Sequence, residues 1–501
     1  MEDTFQTNSF LSESKKNGLI NFRAVSYILG ILVLVEAGLF AICAGISAVY
    51  HESSYVCFIW TMLINIGIGG SMILVGNRKS NAISRRDGYC IVSVSWILFT
   101  LLGMLPFYLS GYIPSITDAF FETMSGFTTT GATVLNNIES LPHGLLFWRS
   151  FTQWIGGLGI VIFTIALLPL FSGSSQQLFL SEATGVTHDK IHPKIKVMTR
   201  YLWLIYIGLT LLETVLLMLG GMTLFDALCQ SFATTATGGF STKQDSISFW
   251  NSPYIEYVVS IFMILSGVNF SLYYFALNGK YKKLLKDGEL HWFLVSILTL
   301  TFIIASALFF TNYYDIETAF RKALFQVATT HTSCGFATDD YNLWPPFTWM
   351  LLIFAMISGG CTGSTSGGVK NLRLLIMFQN IKNQFKQMLH PRAVLPVHVN
   401  KSQIPVQSTA MVYTFFVTYL ICIFIGWTLL MCLGVGLTES FSTVISAIGN
   451  VGPGLGAFGP VFSWASLPDA AKWILSALML IGRLEIFGLL LLFNRHFWKD
   501  Y

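Results

Sequence analysis

The residues of this chain best placed to do chemistry are small, polar and repeated. A window of fourteen residues that closes on a glycine occurs four times. The copies are DAFFETMSGFTTTG from Asp118 to Gly131, DALCQSFATTATGG from Asp226 to Gly239, KALFQVATTHTSCG from Lys322 to Gly335, and ESFSTVISAIGNVG from Glu439 to Gly452. They agree in type column by column: Ala, Ala, Ala, Ser in the second, Phe, Leu, Leu, Phe in the third, and Glu, Gln, Gln, Thr in the fifth. The closing glycine permits backbone angles that a β-carbon disfavours. Four such backbones around one axis would form a ring of carbonyl oxygens, and such a ring replaces the hydration shell of a dehydrated cation. One window alone could be a surface turn or a close helix contact. Four copies, with glycines 108, 96 and 117 residues apart and two apolar spans in each interval, indicate internal duplication.

Each window opens as an amphipathic helix of about ten residues, too short to cross a bilayer. Each ends in small polar residues that make poor helix. The pattern predicts a half-helix entering the membrane, followed by an extended segment. Irregular backbone at that depth is tolerated only where protein buries it or it lines water. The partly negative C-terminal ends of the half-helices would favour a cation between them. Asp118, Asp226 and Glu439 suit the N-terminal ends; Lys322 breaks the pattern, with Glu317 about one turn earlier.

The elements that must position these windows are membrane helices. Of 501 residues, 53% are hydrophobic and 11% charged, against about 25% charged in soluble domains. Ten candidate spans fall near 24–49, 55–76, 89–112, 147–171, 200–221, 254–277, 291–312, 347–369, 409–433 and 472–494. With the N-terminus inside, 23 of the 29 Lys and Arg residues fall in inside segments, as the positive-inside rule requires, so both termini are predicted cytoplasmic. The polar first residues argue against a cleaved signal peptide. The expected fold is an all-α integral membrane protein: two leading transmembrane helices (24–88, after a cytoplasmic segment 1–23), then four helix–pore loop–helix repeats around one pore. The repeats are expected at 89–199, 200–289, 290–408 and 409–501.

Other chemistry is excluded. The eight cysteines show no CxxC pairs and no His/Cys metal spacing, so buried thiols are expected rather than disulfides or a metal site. No HExxH, GxSxG or GxxxxGK[ST] occurs, so neither an enzyme nor nucleotide binding by this chain is expected. No cofactor and no nucleic-acid partner is expected; the surroundings are the lipid bilayer.

The segments TTTGAT (128–133), TGGFST (237–242), SCGFAT (333–338) and GNVGPGLG (449–456) resemble the four filter segments of the Trk/Ktr/HKT potassium transporters, in the long TrkH-type form with two leading helices. The resemblance covers nearly the whole chain. It implies a potassium uptake protein of the bacterial inner membrane whose ion is held by backbone carbonyls just before each filter glycine. Carried over by position, these are Thr129 and Thr130, Thr237 and Gly238, Ser333 and Cys334, Asn450 and Val451, backed by Gly131, Gly239, Gly335 and Gly452. Family members with Ser at the first filter glycine tend to pass sodium, so Gly131 favours potassium. The alternative is a sodium-permeable pore or a cation-coupled symporter.

The second span of the third repeat is interrupted by SGGCTGSTSGGVK, Ser358 to Lys370, which should not continue as helix. By resemblance this stretch, with Gly359, Gly360, Gly363, Gly367 and Gly368, is a gate beneath the filter, and Arg483 in the last span projects below the filter as an electrostatic barrier. Glu485 lies two residues on, so the two side chains are expected to point apart. Glu36 and Glu213 also fall in spans, with no role assigned. Two long inside loops, 172–199 and 370–408, carry HPK (192–194) and HPR (390–392). Resemblance implies a homodimer and a cytosolic RCK-type nucleotide-binding regulatory subunit, TrkA-like, docked on this side.

Overall fold

A computed structural model describes residues 20–76, 84–167, 195–311, 313–400 and 402–499. The polar N-terminal segment and the HPK tripeptide lie outside the described residues. Among the described residues six helices are long and apolar enough to cross a membrane. They include α1 (Phe22–Val49), α2 (Tyr55–Val75), α3 (Arg85–Gly103, prolonged by Leu105–Leu109) and α6 (Ile195–Leu219). α5 (His143–Leu167) adds a further long helix between them.

The two leading helices pack back to back because each carries a glycine at the crossing. A β-carbon on Gly30 would meet the carbonyl of Gly69 at 2.8 Å, and one on Gly69 would meet that of Gly30 at 2.9 Å. Small residues are what lets membrane helices approach this closely. The turn between the pair docks on the first repeat through Glu52. Its carboxylate accepts the amides of His143 at 2.6 Å and Gly144 at 3.1 Å, capping the start of α5. Burial alone would raise the Glu52 pKa, but these amides and the His143 ring hold it below the ordinary carboxylate range.

All four windows form the expected half-helices: α4 (Ile116–Phe127), α7 (Leu224–Thr235), α11 (Ile316–His331) and α15 (Leu437–Gly449). Their 12, 12, 16 and 13 residues span about 18–24 Å, short of a bilayer core of about 30 Å. Ser115, Thr223 and Asp315 cap the first three. The third starts earlier than its fellows, so Glu317 falls in its first turn and supplies the acid that Lys322 does not. From the second column onward each half-helix is buried almost all round; Ala119, Ala227, Ala323 and Ser440 are each buried against neighbouring helices.

Among the described residues the second helix is broken in the second, third and fourth repeats, where the sequence pattern shows one interruption. In the second repeat α8 (Pro253–Ser266) meets α9 (Phe270–Leu277) at 92°, where Gly267 ends one helix and Asn269 caps the next. The expected straight span 254–277 is therefore two helices. In the third, α10 (Gly288–Phe310) precedes the half-helix, and α12 (Pro346–Ser358) stops at Gly359, whose φ is +70°. Helix resumes only as α13 (Asn371–Leu389). In the fourth, α14 (Val406–Cys432) is continuous, but α16 (Asp469–Arg483) and the helical stretch from Phe487 are bent by 106°, so 472–494 is not one straight helix either. Glu485 and Ile486 at the bend have φ of +52° and +61°. Arg373 of α13 holds the bend through a 2.6 Å ion pair to Glu485. About half of the loop expected over 370–408 is α13 itself, followed by a short antiparallel pairing of His398–Val399 with Ser402–Gln403.

Lys322 has a packing reason. The buried Glu256 on α8 accepts Lys322 at 2.8 Å and Arg321 at 2.5 Å. The matching joint between the fourth and first repeats has the opposite polarity, Lys472 on α16 against Asp118 at 2.6 Å. In both, the first-column residue of one repeat pairs with the second helix of the repeat before it. Breaking a buried pair from one side costs about 3–5 kcal/mol because a charge is left uncompensated. Glu256→Lys should therefore lower the melting temperature of the detergent-purified protein sharply. Adding Lys322→Glu to it should recover part of the loss, a coupling read from the double-mutant cycle.

Candidate ion-conduction site

The four segments that follow the half-helices share one backbone. Thr129, Thr237, Ser333 and Asn450 sit at φ of +52°, +54°, +54° and +53°. One residue on, Thr130, Gly238, Cys334 and Val451 donate their amides to carbonyls five residues back, Ser125, Ala233, Thr329 and Ser446, at 2.8–2.9 Å. Together with the i→i−3 bonds from Thr129, Thr237, Ser333 and Asn450, this is the Schellman ending of a helix. Its left-handed position usually holds glycine. Here it holds Thr, Thr, Ser and Asn, conformations that cost on the order of 1–3 kcal/mol each and persist only where the surroundings impose them. Two residues on, Gly131, Gly239, Gly335 and Gly452 are again left-handed, at +84°, +79°, +91° and +104°.

The segments close on one another in cyclic order. A β-carbon on Gly131 would strike the carbonyl oxygen of Gly238, and one on Gly239 that of Cys334. One on Gly335 would strike that of Val451, and one on Gly452 would lie 2.6 Å from that of Thr130. Each glycine thus faces the carbonyl just before the glycine of the next repeat, and the fourth returns to the first. All four glycines also line one cavity. The twelve residues Thr129–Gly131, Thr237–Gly239, Ser333–Gly335 and Asn450–Gly452 are brought together.

Side chains behind the segments hold them in place, and the fifth column of the windows provides most of these contacts. Glu122 accepts Thr133 Oγ1 and the amide of Val134, both at 2.9 Å; Gln230 donates to Ser241 Oγ at 2.6 Å and Gln326 to the carbonyl of Asp339 at 3.2 Å. In the fourth repeat the residue one position earlier takes over: Ser442 Oγ accepts the amide of Leu455 at 2.9 Å. Each contact ties a half-helix to the chain leaving its own glycine. Arg149 and Gln153, one turn apart on α5, reach across to the second segment. Arg149 pairs with Glu122 at 2.6 Å, donates to the carbonyl of Ser241 at 2.8 Å and lies 3.6 Å above the ring of Phe240. Gln153 donates to the carbonyl of Gly238 at 2.6 Å and accepts the amide of Phe240 at 3.0 Å. Asn450 joins the fourth segment to the first through Thr130 Oγ1, 3.1 Å away. The sequence signal for these residues was the fifth column and a lone Arg among apolar residues; nothing marked Gln153.

The Ser358–Lys370 stretch packs directly against the second and third segments. Ser333 Oγ accepts the amide of Gly367 at 2.6 Å and lies 3.1 Å from Ser366 Oγ; Thr237 Oγ1 lies 3.4 Å from Thr365 Oγ1. A β-carbon on Gly367 would collide with the carbonyl of Gly449, and one on Gly359 with that of Gly367. Gly368, at φ +76°, lies against Gly359. Gly360 lies against Ser366 and the carbonyl of Gly267. Gly363 stands apart on the other flank, its carbonyl accepting the amide of Phe270 at the break in the second repeat. Arg483 is buried and spans two repeats, donating to the carbonyl of Thr365 at 2.8 Å and to that of Gly156 at 2.9 Å. Glu485, beyond the end of the helix, pairs instead with Arg373. Glu36 meets Asn65 of α2 at 3.2 Å, and Glu213 is buried on α6.

Residues 57–500 match the family described as TrkH, cation transport protein. The Trk system potassium uptake protein TrkH of Salmonella typhimurium is 37% identical over 485 residues, 96% of this chain and 100% of its own. The Trk system potassium uptake protein TrkG of Escherichia coli K12 is 35% identical over 481 residues, 95% of this chain and 99% of its own. The crystal structure of the potassium transporter TrkH from Vibrio parahaemolyticus superposes with a TM-score of 0.87 at 34% identity, covering 95% of this chain and 100% of the other. A polytopic helical chain with four converging glycine segments, matched over nearly its full length, belongs to the TrkH family of cation transport proteins.

Proposed function

We propose that this chain takes up potassium through a pore on the axis of the four glycine segments. The observation that carries the reading is their cyclic closure, each glycine against the carbonyl preceding the next. On this reading the carbonyls of Thr130, Gly238, Cys334 and Val451, the second of which also accepts Gln153, surround one point. The carbonyls of Thr129, Thr237, Ser333 and Asn450 form a second tier. Carbonyl rings of this kind exchange for the hydration shell of a cation, and the half-helix ends add partial negative charge. The repeats at 89–199, 200–289, 290–408 and 409–501 each supply one quarter of the ring, and the leading helices of 24–88 brace the first.

Beneath the ring, residues 358–370 form the gate, and Arg483 adds a positive charge that a permeating cation must pass. Its bonds to Thr365 and Gly156 support that role, since they tie the barrier to the gate loop and to the first repeat. The chain works as a homodimer in the bacterial inner membrane, with both termini cytoplasmic. A cytosolic RCK-type nucleotide-binding subunit controls the gate. The bias of Lys and Arg toward the inside segments supports the orientation.

In a host without potassium uptake of its own, the wild-type chain, co-expressed with a regulatory subunit, should restore growth at low potassium and carry rubidium. No rescue would sink the conduction reading. Gly131→Ser should admit sodium, because any side chain there must displace the carbonyl of Gly238 from the ring. Gly239→Ala should cut rubidium flux by about tenfold or more, equivalent to ~1.4 kcal/mol of added barrier, because its β-carbon displaces the carbonyl of Cys334. Arg483→Ala should raise flux several-fold, measured as rubidium uptake into proteoliposomes; unchanged flux would remove Arg483 from the barrier.

A further inference from the structure

Glu289 lies at the start of α10 and takes no part in the ion path described above. It is buried, and one oxygen, Oε1, accepts three hydrogen bonds: the amide of Thr362 at 2.5 Å, its hydroxyl at 2.9 Å and the amide of Leu372 at 3.2 Å. Thr362 stands near the beginning of the 358–370 stretch and Leu372 just beyond its end. A single carboxylate therefore pins both limbs of the loop together. The loop needs such a partner. Lys370 occupies the N-cap of α13 at φ +76° and gives no side-chain cap, so the first amides of α13 require an acceptor from elsewhere. A carboxylate at a helix N-terminus is also favoured by the partial positive charge there.

The same helix start is fastened to the hairpin that follows α13. Asn400 accepts the amide of Gly288 at 2.6 Å and donates to Asp287 at 2.7 Å. Asp287 caps α10 through the amide of Leu290 at 2.8 Å. The hairpin packs its Val397, Val399 and Ile404 against Leu372 and Ile376 of α13. A displacement of this hairpin would thus bear on Glu289 through the α10 start and on Leu372 through α13.

We infer that Glu289 is the positioning residue that holds the gate loop closed, and that the 398–403 hairpin, through Asn400, is the handle by which the closed state is released. The inference rests on the reading of the loop as a gate. Glu289 does not touch the ion; it acts through the loop. Charged hydrogen bonds outweigh neutral ones, so loss of the charge alone weakens the clamp while leaving an acceptor in place.

The test is basal rubidium flux into proteoliposomes holding the full chain alone, with the potassium-to-sodium flux ratio measured on the same vesicles. Glu289→Gln keeps the shape and is expected to raise basal flux about tenfold, the effect of a ~1.4 kcal/mol shift. The flux ratio should stay at the wild-type value, because the ring is untouched. Asn400→Ala should raise basal flux in the same direction. A merely structural role would lower flux or disturb the ratio. Arg483→Ala serves as the control for the gate itself. If Arg483→Ala raises flux and Glu289→Gln does not, the clamp is wrong and the gate stands. If Glu289→Gln raises flux and Asn400→Ala does not, the handle is wrong. If none of the three raises flux, the gate reading fails and the inference goes with it.

Discussion

A peptide group that leaves regular helix at membrane depth must find its hydrogen bonds in protein or water, because lipid offers none. Among its described residues this chain leaves regular helix at four segments after the half-helices and at three breaks in the second helices. All of them meet in one place. The Thr365–Gly367 stretch bonds to Thr237 and Ser333 of the segments, and Gly363 accepts from Phe270 at the second-repeat break. Arg483, the last residue before the fourth-repeat break, donates to Thr365. The irregular backbones satisfy one another inside a surround of apolar helices.

That mutual dependence explains the strain. Thr129, Thr237 and Ser333 would not adopt left-handed angles in an isolated helix end. They do so here because the chain continues to a glycine that must face the next repeat. The residues behind them carry the cost. Glu122, Arg149 and Gln153 make a polar frame around the first two segments, Asn450 links the fourth to the first, and the third leans on Gln326 and on Lys322, whose amine reaches the carbonyl of Thr338 at 2.9 Å. The frame differs from one quadrant to the next although the backbone does not. Four unlike repeats in one chain can each find their own side-chain solution, which an assembly of four identical subunits cannot.

The membrane helices, the four half-helices and the glycines were legible in the sequence because each depends on local composition. Twenty apolar residues, or a short amphipathic run ending in TTTG, have one sensible fate whatever surrounds them. The break after Ser358 was legible for the same reason, with five glycines in thirteen residues. The breaks at Gly267 and Glu485 were not. A single glycine or an Arg-Leu-Glu step does not stop a helix by its own propensity, and these stop because Phe270 finds Gly363 and Glu485 finds Arg373. Lys322 was read as a departure from a pattern of acids. Its charge answers Glu256, 66 residues away.

The amino-acid sequence by itself determined that this is a membrane protein of repeated helix–half-helix–helix units, and which four glycines close them. Periodicity, span length and duplication are properties of short stretches read one at a time. Only the tertiary structure decided the order in which the segments touch, which side chains brace them, and that Glu289 and Arg483 both end on the same loop. Those contacts join residues as far apart as Glu289 and Leu372, 83 positions, or Asn450 and Thr130, 320 positions, and their energies come from burial and shared hydrogen bonds that exist only once the four repeats have packed together.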